Sequence, residues 1–357
     1  MTFYAIGEPD YTASSWYRAI LEGLLAEKRR KRFALTLLER PEEVSALVPT
    51  DADVIFVIGT DTEWVSHAIS ACEARFGNRV ILLGNHKPTY GGKSYSTVTA
   101  DVAGNVRLLY AYLRAHGKRR VAMYGINPAS TSDAFRQESF LACGGRAEDL
   151  FYNKSALARC FADFSPRCAD YDGVICVNDY AAISLLRHLQ GHTAPFIVSC
   201  GGTALAVRTS PTVTHTRIPF GAFGKAGVEL ARMLCAGEAV SAVHIHLAGE
   251  FVPGESTACL PMPRAATAAV PVIGKAEDRF YADPEVGDMM KLEQLLAACD
   301  DEDLMLLSRL LKRQTYADMA SELFLSENTV KYKLKSMFRL CGVSSRAECI
   351  RFIEKYL

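Results

Sequence analysis

The sequence contains no apolar run long enough to cross a bilayer. Its first residues, Met1–Glu8, do not combine a basic segment with a long apolar core, so we expect no signal peptide and no secretion. The 40 basic and 40 acidic residues leave no net charge, which excludes a protein that attracts polyanions over its whole surface. We therefore expect a cytoplasmic protein that does not bind membranes.

The sequence also lacks any Cys-x-x-Cys pair, although it has 11 cysteines. The odd number argues against a full disulfide framework, and several cysteines lie in predicted apolar strands or helices, which is typical of buried, reduced thiols. His244 and His246 alternate along a predicted strand, a pattern more typical of a solvent-facing edge than of metal ligands. We expect no metal site and no other cofactor.

Common catalytic motifs are missing as well. There is no Gly-x-Gly-x-x-Gly, no phosphate-binding loop of the Gly-x-x-x-x-Gly-Lys type and no Gly-x-Ser-x-Gly. The scattered Asp and His residues form no catalytic set. An enzyme is therefore disfavoured, although two alternatives stay open: an α/β enzyme with an appended DNA-binding domain, and a solute-binding or receptor-type protein.

The most informative segment present is a predicted helix from Ser326 to Leu340. Ser326 is a good N-cap. Four apolar residues recur at spacings that place them on one buried face: Val330, Leu334, Met337 and Cys341. Basic residues follow on the opposite side at fourfold spacing, with Tyr332 and Lys333 beside them: Lys331, Lys335 and Arg339. A helix with an apolar back and a basic front suits a DNA major groove.

The neighbourhood of this helix supports the same interpretation. Periodicity and capping signals predict helices over Asp303–Lys312, over Tyr316–Leu323 and from Ser345 onward. A short turn between the second and third of four helices is typical of a helix-turn-helix unit. From Leu304 to Leu357 there are ten Lys or Arg and five Asp or Glu, a local net charge of +5. A local charge of this kind indicates a docking face for DNA.

This segment resembles the C-terminal helix-turn-helix of the LuxR class of bacterial transcription regulators. The resemblance is carried by Asp318–Leu323, Leu325–Lys331, Gly342–Val343 and Ser345–Glu348. It implies base and phosphate contacts by Lys331, Tyr332 and Lys335, with Asn328 and Thr329 near the DNA backbone. We add Arg339, from the basic side, to this set. The chain has Arg313 where the family usually has Gly, and Lys333 where it often has His; we expect Lys333 to add a phosphate contact.

In the first 260 residues, short apolar runs alternate with amphipathic helices, which predicts parallel sheets with helices on both faces. The length favours two lobes, and a ligand would then bind in the cleft between them, at the carboxyl ends of the strands. The basic run Lys28–Arg32 falls between the first predicted helix and the next strand. We expect it to be a solvated turn and not a second DNA site.

The same region resembles the effector-binding core of the LacI/GalR regulators, itself similar to periplasmic sugar-binding proteins. The pieces that carry the resemblance are collinear: Glu8–Asp10, Val98–Asp101, Gly117–Ala122, the Arg136 segment, Val177–Ala182 and Pro219–Leu230. It implies that Asp101, Arg136 and Asn178 hydrogen-bond an effector in the cleft, and that Trp16 or Tyr17 stacks on it. Simpler roles also fit these residues: a helix cap, a surface charge, a strand-to-helix turn or core packing.

One departure concerns the ligand. The family usually ends the strand near residue 198 with an Asp that binds ligand hydroxyls, whereas this chain has Ser199–Thr203. We expect a less anionic cleft, and an effector that is not a simple neutral sugar, with an aromatic or acidic small molecule at least as well favoured.

The sequence thus predicts an α/β two-lobe, periplasmic-binding-protein-like sensor over residues 1–260 and an all-α, four-helix LuxR-type domain over residues 299–357. Residues 261–298 are expected to form a linker with a short helix at Met289–Ala297. The predicted function is that of a transcription regulator that binds a small-molecule effector and double-stranded DNA. We expect a homodimer, because a palindromic site needs a twofold partner.

Overall fold

The computed structural model describes residues 2–84, 89–90, 93–189, 195–236, 241–258 and 283–357. The strands are β1 Thr2–Gly7, β2 Ala34–Leu38, β3 Val54–Ile58, β4 Val80–Leu83, β5 Thr89–Tyr90, β6 Lys93–Ser94, β7 Ser96–Ala100, β8 Val121–Ile126, β9 Leu150–Tyr152, β10 Gly173–Cys176, β11 Phe196–Gly201, β12 Thr214–Arg217, β13 His244–Leu247 and β14 Glu250–Val252. The helices are α1 Ser15–Lys31, α2 Thr62–Phe76, α3 Val102–Ala115, α4 Thr131–Ala142, α5 Leu157–Phe164, α6 Asp179–His188, α7 Phe220–Cys235, α8 Pro284–Ala298, α9 Asp301–Leu311, α10 Tyr316–Glu322, α11 Glu327–Cys341 and α12 Arg346–Glu354.

Lobe 1 is built on a sheet of order β13-β7-β4-β3-β1-β2, in which all neighbouring strands are parallel. Every residue of β3 is buried, because α1 and α7 cover one face of the sheet and α2 covers the other. A parallel strand buried on both faces is a continuous apolar run, and β3 has the sequence Val-Ile-Phe-Val-Ile.

Lobe 2 is built on a sheet of order β14-β12-β11-β10-β8-β9. Its strands are parallel, apart from the antiparallel pair of β12 with β14. The two α/β lobes with parallel sheets confirm the fold expected for the first part of the chain.

Within the described residues the chain crosses between the lobes three times: after β7, after β12 and after β13. The first and third crossings lie side by side, since the Asp101 amide donates to the Leu247 carbonyl at 2.9 Å. At the second crossing the Ile218 amide donates to the Gly201 carbonyl at 3.0 Å. These crossing segments are the hinge between the lobes.

The C-terminal helices α9 to α12 agree with the four predicted ones. Ser326 caps α11 by accepting from the Thr329 amide, and Gly342 ends it with a φ of 70°. Arg313 has a φ of 60°, a conformation that glycine adopts most readily, at the position where the LuxR family usually has that residue. The loop between α9 and α10 therefore contains a left-handed residue that is not glycine.

Two local elements differ from what the sequence predicts. The basic run Lys28–Arg32 is not a solvated turn: α1 continues through Lys31, and only Arg32 has the left-handed conformation of a C-cap. Lys31 is held by ion pairs with Glu27 and Glu229, which stabilise this last turn. Residues 261–282 of the predicted linker lie outside the described residues, and the short helix expected after them is the longer α8.

The apolar core of lobe 2 continues through α8 into the C-terminal helices. One cluster of buried side chains joins strands of lobe 2, the inward face of α8 and the inward faces of α9 to α12; the members on α8 are Val286, Met289, Leu292, Leu295 and Leu296. The division at residue 299 stays a prediction, but no break in packing marks it. Among the described residues, no helix combines the length and the apolar character that a membrane span requires.

Candidate functional site

A cavity of about 440 Å³ opens between the two lobes, at the carboxyl ends of their strands. Lobe 1 contributes Tyr11, Trp16 and Thr60, the second crossing contributes Arg217 to Phe220, and lobe 2 contributes Asn127, Arg136, Asn178 and the Cys200–Thr203 loop. Its size suits a small molecule.

One wall of the cavity is aromatic. The Trp16 ring lies 5.7 Å from that of Tyr11 and 6.2 Å from that of Phe220, measured between centroids. Tyr17 packs edge-on against Trp16 but is not among the residues that line the cavity, of those the structure describes. Its ring lies against Gly7, where a Cβ atom would be 2.2 Å from the Tyr17 hydroxyl. The structure thus places Trp16 at the cavity surface and Tyr17 in the packing behind it.

Arg136 lies in the opposite wall and is buried, with 8% of its surface exposed. Its Nη1 atom donates to Asp133 Oδ1 at 2.5 Å, and Asp133 Oδ2 accepts from the backbone N–H of Asn127 at 2.9 Å. Burial raises the pKa of Asp133, while the neighbouring guanidinium and the amide of Asn127 oppose that shift. The pair therefore presents a fixed guanidinium to the cavity.

Asn178 and Asp101 both cap helices, but they differ in their position relative to the cavity. Asn178 Oδ1 accepts from the Ala181 amide at 2.9 Å at the start of α6, and the residue also lines the cavity. Asp101 Oδ1 accepts from the Gly104 amide at 2.7 Å at the start of α3. Asp101 sits in the hinge and is not among the described residues that line the cavity. Its place as an effector ligand stays a prediction.

Three carboxylates line the cleft, Asp133, Asp179 and Glu293, and the expectation that it is less anionic than that of the LacI/GalR regulators stays a prediction. Asp179 accepts from the amides of Gly202 and Thr203, both at 2.7 Å. A Cβ atom at Gly201 would lie 2.5 Å from Asp179 Oδ2, so this carboxylate fills the space that a side chain at 201 would need. Asp179, which follows β10, therefore occupies the space beside Gly201 at the end of β11.

Glu293 could not be assigned to the cavity from the sequence, because it lies on α8, beyond the predicted sensor. It has 4% of its surface exposed, and its two carboxylate oxygens accept from the amides of Ala204 and Leu205 at 2.7 Å and 2.6 Å. Burial raises the pKa of Glu293, and these two amides oppose the shift.

The second candidate site is the outer face of α11. Tyr332 is 73% exposed, and Lys335 and Arg339 are exposed on the same helix. Neither Lys335 nor Arg339 makes a salt bridge with any described residue, whereas Lys331 pairs with Glu327 at 3.2 Å. Two free cations and an exposed aromatic ring make this face suitable for contact with phosphates.

Two of the predicted DNA-binding residues, Lys333 and Thr329, have partners within the C-terminal helices, and a third, Asn328, lies in the first turn of α11. Lys333 Nζ lies 2.8 Å from Asp303 and 2.8 Å from Glu302, at the start of α9, and these carboxylates raise its pKa. To contact a phosphate, Lys333 would have to leave both. The Thr329 hydroxyl lies 2.8 Å from that of Ser326, and Asn328 is exposed in the first turn of α11.

Comparison with known proteins agrees with the two-lobe architecture. Residues 110–257 match the model of the periplasmic binding protein-like domain. None of the curated proteins matches the sequence. The chain is similar to the transcriptional regulator CelR in complex with cellobiose, with 19% identity, a TM-score of 0.59 and coverage of 71% of this chain and 84% of that one.

Two further solved structures are similar over the same share of the chain. The transcription regulator CcpA of Lactococcus lactis is 18% identical, with a TM-score of 0.57 and coverage of 72% of this chain and 99% of that one. The Lac repressor bound to ONPG in its repressed state is 15% identical, with a TM-score of 0.58 and coverage of 72% and 81%. At these identities the likeness establishes the fold alone.

Proposed function

We propose that this protein is an effector-responsive transcription regulator, in which a small molecule bound between the lobes controls DNA binding by α11. The observation that carries the proposal is the presence, in one chain, of a polar and aromatic inter-lobe cavity and of an exposed basic helix. A LuxR-type helix-turn-helix fits α9 to α12. The chain would bind its effector without turning it over.

The effector would have an apolar face and a polar edge. Trp16 and Phe220 would stack on the face, while Arg136 and Asn178 would hydrogen-bond the edge. The Thr60 hydroxyl, which lines the cavity, is buried without a hydrogen-bond partner among the described residues, so it could serve a ligand as well. The cavity also has Arg217 at the second crossing.

Both sugars and aromatic acids have such a face and edge. The solved structures named above include complexes with cellobiose and with ONPG. Two guanidinium groups, of Arg136 and Arg217, line the cavity beside an aromatic wall, so we propose an aromatic or acidic effector. Tight binding of an unmodified monosaccharide, measured by calorimetry, would contradict this choice.

DNA binding would use a homodimer. The basic face of one α11 helix contacts only a short stretch of a groove, and a second copy related by a twofold axis would bind the other half of a palindromic site. Arg339, Lys335 and Tyr332 would approach the DNA directly, with Lys331 joining them once it leaves Glu327.

The test of the effector site is a thermal-shift screen of a metabolite library, since a ligand that binds only the folded protein raises its melting temperature. Compounds that stabilise the wild type are tested again with Arg136→Gln and with Arg159→Gln, a matched change of a half-buried arginine that does not line the cavity. We expect the shift to disappear in Arg136→Gln and to persist in Arg159→Gln. Equal shifts in both variants would place the effector elsewhere.

A further inference from the structure

We infer that α8 couples the effector cavity to the DNA-binding helix, so that occupancy of the cavity is transmitted through this helix to α11. The inference deepens the proposed function and rests on it. It assigns a role to Glu293 and Gln294, two residues of α8 that lie beyond the predicted sensor yet contact its two lobes.

The first step is the contact with lobe 2. Glu293 lines the cavity and binds the amides of Ala204 and Leu205, in the loop that follows β11. Asp179 holds the preceding amides of that loop. The loop forms part of the cavity wall, and one of the two carboxylates that fix it comes from α8. A ligand that displaces this loop therefore acts on α8 directly.

The second step is the contact with lobe 1. Gln294 Nε2 donates to the Ala13 carbonyl at 3.0 Å, and the next three residues along the chain, Ser14 to Trp16, line the cavity. Consecutive residues of α8 thus bind opposite lobes, each beside a cavity wall. A change in the distance between the lobes must break one of these contacts or move the helix.

The third step is the anchoring of the first turn of α8 to lobe 2. Asp283 Oδ2 accepts from the Leu157 amide at 2.8 Å, and Glu285 binds Arg187 at 2.5 Å and the Ser184 hydroxyl at 2.9 Å. This end is held firmly by several bonds. Gln294 contacts lobe 1 through an exposed hydrogen bond to Ala13, so lobe movement would break it before the several bonds of the first turn.

The fourth step leads to the DNA-binding helix. The apolar residues of α8 share one core with Val330, Leu334, Met337 and Phe338 on the inner face of α11. Lys355, just after α12, pairs with Asp288 of α8 at 3.0 Å. Because packed helices move as bodies and not by continuous deformation, a shift of α8 repositions α11.

Hydrogen exchange of the full-length protein tests the coupling without knowledge of the effector. Loss of one buried acceptor in Glu293→Gln should speed exchange at residues 204–205 by about tenfold, and at the buried amides of α11 by at least about threefold. Gln294→Ala, which removes the contact with lobe 1, should also speed exchange in α11. The control is Glu63→Gln, the same change as in Glu293→Gln but at an exposed residue of α2 in lobe 1, and it should leave α11 unchanged.

Reciprocity supplies the second measurement. If α8 couples the sites, a saturating labelled duplex of random sequence must change exchange in residues 201–206 of the wild type and of Glu63→Gln, by at least about twofold. The Glu293→Gln variant should lose this response. The inference would be overturned if the exchange rates of residues 201–206 did not change when the duplex binds. It would also be overturned if the exchange rates in α11 were the same in all variants. A duplex that does not bind at all would refute the proposed function and leave the first measurement standing.

Discussion

The sharpest prediction compares two lysines that are two residues apart on α11. Lys335 is exposed and makes no salt bridge with a described residue, whereas Lys333 is bonded to Asp303 and Glu302. If Lys335 contacts a phosphate, its binding releases one counterion from the DNA, and Lys335→Ala abolishes that release. The slope of log Kobs against log salt concentration should then become less steep by about 0.9. At about 0.1 M salt this corresponds to binding weakened by about eightfold.

The assay is fluorescence anisotropy of a labelled random-sequence duplex, titrated with protein over a range of salt concentrations. Lys333→Ala is the matched control: it should leave the slope unchanged and lower the stability of the helical unit by less than about 1 kcal/mol, since its partners are partly exposed. Equal slopes for wild type and Lys335→Ala would refute the assignment of α11 as the DNA-binding helix. A reduced slope in Lys333→Ala would show that this lysine leaves its carboxylates to bind DNA.

Three further predictions concern stability. Arg136→Met leaves the buried Asp133 unpaired and should lower the free energy of unfolding in urea by about 3–5 kcal/mol, most of which Asp133→Asn in the same chain should restore; equal stabilities of the single and double variants would contradict this. Burial raises the pKa of Glu8 to about 7, so the folded protein holds a proton that the unfolded chain has lost above its pKa of 4.5. As the pH rises between these two pKa values, the free energy of unfolding should therefore fall by up to about 3 kcal/mol, and above them it should level off. Melting curves of Glu8→Gln should not show this decline. Gly23→Ala places a Cβ atom 2.2 Å from the Gly221 carbonyl and should cost about 1–3 kcal/mol by thermal unfolding, whereas Gly221→Ala, whose Cβ meets only one atom at 3.8 Å, should be tolerated.

Much of the secondary structure could be predicted, and the reasons differ from element to element. The buried β3 is one of the short apolar runs that the sequence predicts as strands, because a strand covered on both faces needs an unbroken apolar run. The start of α11 followed from Ser326, whose capping chemistry is local. The edge strand β2 was missed, since its half-exposed sequence, Ala-Leu-Thr-Leu-Leu, has no clear alternation.

The site was only partly predictable, because the cavity is assembled from distant parts of the chain. Arg136, Asn178 and Trp16 line it, as the LacI/GalR resemblance implied, while Asp101 lies in the hinge and Tyr17 behind Trp16. These five follow predicted strands or begin predicted helices, so position along the chain could suggest them. Glu293 follows no strand of the sensor. Its role depends on the packing of α8 against lobe 2, which no local pattern encodes.

The shared core of lobe 2, α8 and the C-terminal helices limits where a junction can be placed in a chimaeric protein. A chimaera that attaches a different DNA-binding unit after Ala298 would keep Glu293 in place but leave the apolar face of α8 without its partner. One that exchanges everything from Asp283 onward would keep that face covered but remove a carboxylate from the cavity wall. Each junction therefore disrupts either the packing of α8 against the C-terminal helices or the wall of the cavity, so the two halves of the chain cannot be exchanged independently.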